Sequence, residues 1–249
     1  EDYEYSPSEE RDDIEASYSI DSELLIHRDS HFGGSFSLMI DYYEQEGIGA
    51  CEDFSLGRIK ELAKYEEELG HNLAGELLTG SEAEIVGRSR EMYRKLRDLY
   101  EKEDDRNSIP CLIADLILAE EDASSEIEAI ISQGKKMIPE LLLLVKGEDF
   151  YSPFFPGYGF APERAMSWLG MLGDETVVPA LFERVQMEDP FEDEAPLQAL
   201  QLLKKFAKPF LLKVLSARPL TRDNDRAAYI LADRFSDNAS VAWEAYQLL

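Results

Sequence analysis

His27 and His31 stand four residues apart with Asp29 between them, in the segment His27-Arg-Asp-Ser-His31-Phe-Gly-Gly. On one helical face, imidazoles at i and i+4 beside a carboxylate make a metal-ligating set, and paired glycines let backbone amides approach an anion. The same residue types have a plainer use. Asp29 or Ser30 can cap a helix starting nearby, and Gly33-Gly34 permit a tight entry to it. His71, in Leu69-Gly-His-Asn-Leu73, is the one further histidine available to a site, and it reads as a partly exposed helix residue. The enzymatic expectation is a metal-assisted hydrolase using His27, Asp29 and His31. No other catalytic set competes with it: the chain has no Gly-x-Ser-x-Gly elbow, phosphate loop, dinucleotide fingerprint or calcium loop.

A second kind of chemistry is suggested by Phe150-Tyr-Ser-Pro-Phe-Phe-Pro-Gly-Tyr-Gly-Phe160, where aromatic residues crowd a Pro/Gly-rich insertion. Rings on a loop bury large area with few rotors, which makes Tyr151, Phe154, Phe155, Tyr158 and Phe160 candidate anchors for a partner. The competing reading has the loop folding back to fill a groove between helices. If the rings are anchors, Phe154→Ala with Tyr158→Ala weakens partner capture and leaves stability nearly unchanged. A third cluster is basic: Arg88, Arg90, Arg94, Lys95 and Arg97, of which positions 90, 94 and 97 share a helical face. It either binds phosphate or acid, pairs with acidic residues such as Glu66 to Glu68, or restrains the acidic amino end.

Charge narrows the partners. The 52 Asp+Glu against 25 Lys+Arg give a formal charge of −27 over 249 residues, a field that repels nucleic-acid phosphates and anionic lipid and attracts basic surfaces. Cys51 and Cys111 are far apart and outside any Cys-x-x-Cys pair, which argues against a disulfide framework and fits a reducing cytoplasm. The longest apolar run, Met137 to Val145, is broken by Pro139 and Glu140 and is far below the ~20 residues needed to cross a bilayer. No cofactor motif is present, so none is expected.

The elements that must position these residues are helical. Residues 1–20 read as a flexible acidic arm, 21–107 as an amino-terminal helical region and 108–249 as a repeat array. In the amino-terminal part, helices are expected from Gly34 or Ser35 to Gly47, from the N-cap Ser55 along a stripe to Leu77, and from Ser81 with a Ser81/Glu84 capping box to Tyr100. Beyond Ser108 the expected helices lie near 109–117, 124–133, 136–146, 162–172, 175–187, 193–206, 208–217, 223–235 and 238–249.

Three second-helix pieces align: Lys136-Met-Ile-Pro-Glu-Leu-Leu-Leu-Leu-Val145, Thr176-Val-Val-Pro-Ala-Leu-Phe-Glu-Arg-Val185 and a degenerate Lys208-Pro-Phe-Leu-Leu-Lys-Val-Leu215. First-helix pieces at Glu163–Gly170, Ala195–Leu203 and Asp225–Ala232 each carry a small Ala where helices must approach closely. With a period of very roughly 30 residues, this is the pattern of a solenoid. On these motifs, above all Arg164 to Val185, the chain resembles HEAT-like repeats of the short phycobilisome-lyase-like type over about residues 124–249. The resemblance implies an all-α, right-handed solenoid of helical hairpins serving as a non-enzymatic scaffold for a protein partner; residues 21–107, which match the pattern poorly, are expected to form an amino-terminal helical cap, and the charge points to a partner with basic surface. Some HEAT-like folds act on damaged DNA bases, a role the negative charge disfavours.

Overall fold

The computed structural model describes residues 20–119, 124–189, 191 and 193–235, and every regular element among them is helical. The acidic arm and the expected helix at 238–249 lie outside the described residues, apart from Ile20. The chain divides into two compact units, one of residues 1–104 with 152–159, the other of 105–151 with 160–249.

The first unit is built on a helix absent from the sequence expectation. Residues 20–31 form α1, and positions 24–30 are buried without interruption. A helix buried on every side is a core element, so the segment that reads as a helix entry is itself central. Its end is shaped by Gly33 and Gly34, at φ of 61° and 84°, while the Phe32 and Gly34 amides both return to the Arg28 carbonyl. Next come α2 (Phe36–Glu44), capped by Ser35, and α3 (Leu56–Leu69), capped by Ser55. The stripe that reads as one helix to Leu77 is split: Gly70, at φ 71°, ends α3, and a single turn, α4 (Ala74–Leu77), follows. His71 is therefore an exposed turn residue, its Nδ1 3.1 Å from the Leu69 carbonyl. The long α5 (Gly80–Lys102) starts from a Thr79/Glu82 capping box, two residues before the expected one. Leu24, Leu25, Phe36, Met39, Phe54, Ile59, Leu62 and Leu73 make the core of this unit.

The second unit contains α6 (Ile109–Leu118), α7 (Ser124–Gln133), α8 (Ile138–Lys146), α9 (Ala161–Leu172), α10 (Val178–Arg184), α11 (Glu194–Leu202), α12 (Lys204–Ser216) and α13 (Arg222–Arg234). Pro110, Pro139, Pro162 and Pro179 all sit in first turns, where the missing N–H has no helical partner to lose. Pro209 breaks this rule. It lies inside α12, which begins four residues earlier than the repeat pattern places it. The Gly173-Asp174 turn behaves as its sequence predicts: Gly173 takes φ 70°, and the Asp174 carboxylate accepts the Thr176 amide at 2.9 Å. Helix α9 packs most closely on α8 and α11, so its nearest neighbours are not the α10 to which the turn joins it. Where α9 meets α11, Gly170 has no room for a side chain, since a Cβ there would lie 2.9 Å from the Ala199 Cα.

Candidate functional site

The three residues expected to bind metal all lie in or at the end of α1, and burial decides what they do. Asp29 is 6% exposed, and a carboxylate taken out of water needs compensating donors. It has two. Its Oδ1 accepts from Arg28 Nε at 2.7 Å and its Oδ2 from Arg90 Nη2 at 2.9 Å, while Arg90 Nε also donates to the Asp29 carbonyl. Arg28 is wholly buried and donates further to Glu66 Oε2 and Asn72 Oδ1 at 2.7 and 2.8 Å, its guanidinium lying over the Phe36 ring. Glu66 and Asn72 in turn accept the Leu73 and Ala74 amides, which holds the α3–α4 turn. Two arginines thus meet two carboxylates, and the buried charge is balanced.

His31 has both ring nitrogens engaged. Nε2 lies 2.7 Å from the Pro153 carbonyl, which only accepts, so Nε2 carries the proton and Nδ1 accepts from the Tyr93 hydroxyl at 2.8 Å. Burial pushes its pKa down to about 4, partly opposed by the Pro153 carbonyl. His27 is fully buried and its pKa is pushed down to about 3, first by burial and then by His31. Its Nε2 is 3.4 Å from the Tyr43 hydroxyl, and its Nδ1 has no hydrogen-bond partner. Both imidazoles are neutral at pH 7. Around His27 stand the rings of His31, Phe32, Tyr43, Phe54, Phe154 and Tyr158, with centroids 4.8 to 6.4 Å away.

Asp29 is turned to two guanidinium groups and His31 to a hydroxyl and a carbonyl, so the expected ligand set does not converge on one point. Among the described residues, no group of three or more His, Cys, Asp or Glu side chains is arranged to hold a metal ion.

The aromatic segment supplies two walls of this box. Residues 152–159 belong to the first unit, and none of the five rings singled out by sequence is exposed. Phe155 is buried, Phe154 packs on the apolar core beside His27, and Tyr158 lies on His31 with ring centroids 4.2 Å apart. Tyr158 sits at φ 54° between Gly157 and Gly159, both at φ 88°. Gly49 is what admits its ring, since a Cβ at Gly49 would lie 2.3 Å from it. Tyr151 and Phe160 flank the segment and serve the second unit: the Tyr151 hydroxyl donates to the Val145 carbonyl under Arg184, and Phe160 lies beneath Arg164. Sequence reading missed Tyr43, Tyr93 and Gly49, whose roles depend on contacts 8 to 109 positions away along the chain. It also missed Arg28, which reads as a spacer between His27 and Asp29.

No protein-family model, curated protein or solved structure matches this chain. Among the described residues, no helix is long and apolar enough to cross a membrane.

Proposed function

We propose that the protein is a non-enzymatic interaction protein that presents helices of its second unit to a protein partner. The supporting observation is the order of helix packing. Helices α6, α9, α11 and α13 touch in sequence, and α8, α10 and α12 touch in a second sequence, which supports reading them as two rows of a HEAT-like array. On the first row, Met171 of α9 and Leu202 of α11 are 46% and 61% exposed, and Leu202 lies over Gly170 next to Met171. Large apolar side chains left in water on adjoining helices are what a docked partner covers. The −27 charge favours a partner whose rim is basic.

The aromatic segment has a different part in this reading. Its central rings close the box around His27 and His31, so partner contact falls to the helical rows. The test is Met171→Glu with Leu202→Glu, compared with wild type in capture from native lysate. Loss of one wild-type partner with an unchanged melting temperature supports the reading; an identical set of captured proteins refutes it.

A further inference from the structure

A cleft of about 250 Å³ opens between the end of α1 and the middle of α5, entirely within the first unit. Arg90, Arg94 and Arg97 line it from α5, spaced four and three residues apart so that their side chains leave one helical face. Asp29, Ser30 and His31 line it from α1. For a chain of charge −27, three arginines at one small cavity are a local reversal of the field.

The charges there do not cancel. Asp29 is the cleft's one carboxylate, and Arg28 and Arg90 already neutralise it. Arg94 has only a 3.8 Å approach to Glu91, whose carboxylate lies closer to Lys95 at 3.1 Å. Arg97 has no carboxylate partner among the described residues. Two guanidinium groups are therefore left to face the cavity with spare donors. Ser30, 4% exposed, adds a buried hydroxyl in the cavity wall that has no hydrogen-bond partner. His31 is pinned by Tyr93 and Pro153, so the wall it forms is preorganised.

We infer that this cleft binds a phosphate monoester. Guanidinium groups suit a dianion with three terminal oxygens, because each offers a planar fork of N–H donors that a single carboxylate cannot fill. The volume equals about eight water molecules at ~30 Å³ each, room for a phosphoryl group with a small organic portion attached. This inference is independent of the helical rows of the second unit.

Phenyl phosphate is the probe, titrated calorimetrically into the full chain at low salt. Arg94→Ala with Arg97→Ala is the decisive variant, since neither residue supports the Asp29 network and circular dichroism will show the fold retained. Lys204→Ala with Lys205→Ala in α12 removes the same charge elsewhere. The expected result is saturable binding by wild type and by the lysine variant, weakened about tenfold or more in the arginine variant. Inorganic phosphate and a phosphoserine peptide, run alongside, show whether the phosphoryl group arrives free, on a small molecule or on a protein; binding of any of them that depends on Arg94 and Arg97 supports the site. No binding by wild type, equal binding by the arginine variant, or benzoate binding as tightly as phenyl phosphate overturns it.

Discussion

At the scale of single residues, the first unit depends on imidazoles that stay uncharged. The folded-state pKa values of His27 and His31, about 3 and 4, lie below the ~6.5 of an exposed histidine. The unfolded chain therefore binds protons that the folded chain refuses. Their contribution to stability is complete above pH ~6.5 and falls as pH drops toward 4, by about 1.4 kcal/mol per pH unit for each histidine. His27→Phe keeps a ring in the box and removes one of these protons. Between pH 6.5 and 5, urea denaturation should show the wild type losing about 2 kcal/mol more than His27→Phe. Equal losses would mean that His27 is not held neutral.

The rings beside these histidines act at the same scale. Phe154→Ala with Tyr158→Ala empties two walls of the box, and chemical denaturation should report a loss of about 3 kcal/mol. That reverses the sequence expectation of nearly unchanged stability, because the rings are packed inside the unit. A loss below about 0.5 kcal/mol would return them to the role of free anchors.

At the scale of elements, glycine separates what a helix prefers from what its packing permits. Gly87 lies inside α5 with open space where a Cβ would be, so Gly87→Ala should stabilise by about 0.5–1 kcal/mol through lower chain entropy. Gly170 lies inside α9 against the Ala199 backbone, and Gly170→Ala forces α9 and α11 apart. The steric cost, about 1–3 kcal/mol, exceeds the propensity gain, so its effect should be opposite in sign. Thermal melts of the two variants check this, and a rise in melting temperature for both would show that α9 and α11 have room to spare. The capping chemistry also belongs here. Ser55 caps where its sequence signal places it, whereas Ser35 caps α2 in place of the expected Asp29 or Ser30, and the capping box of α5 uses Thr79 and Glu82 in place of Ser81 and Glu84. Both pairs have the same spacing, so local sequence could not choose between them.

At the scale of the molecule, chain order and structural membership diverge. Residues 152–159 lie between α8 and α9 of the second unit yet are built into the first. The charge acts at this scale too. If a basic partner covers Met171 and Leu202, its capture should weaken as salt is raised, and the Met171→Glu, Leu202→Glu variant should abolish it at every salt concentration. Capture that persists unchanged in that variant would place the contact elsewhere.

The helices of the second unit were legible because their signals are local: proline in the first turn, a Gly-Asp stop at Gly173-Asp174, apolar residues at helical spacing. The exception, Pro209 within α12, arises where flanking residues 204–208 are good enough helix formers to carry the helix past the expected start. The site was only half legible. Sequence singled out His27, Asp29, His31, the aromatic segment and the face of Arg90, Arg94 and Arg97. It left open whether these were a metal site or a helix entry, binding rings or packed ones, and an anion site or internal ion pairs. For the first two, the difference comes from the burial of residues 24–30 of α1. A buried Asp29 must take Arg28 and Arg90 as partners, a buried imidazole must stay neutral, and the rings of 152–159 fill the space beside it. Local pattern determines which segments become helices; which polar groups lose their water is set only when distant segments meet, and that loss fixes their chemistry.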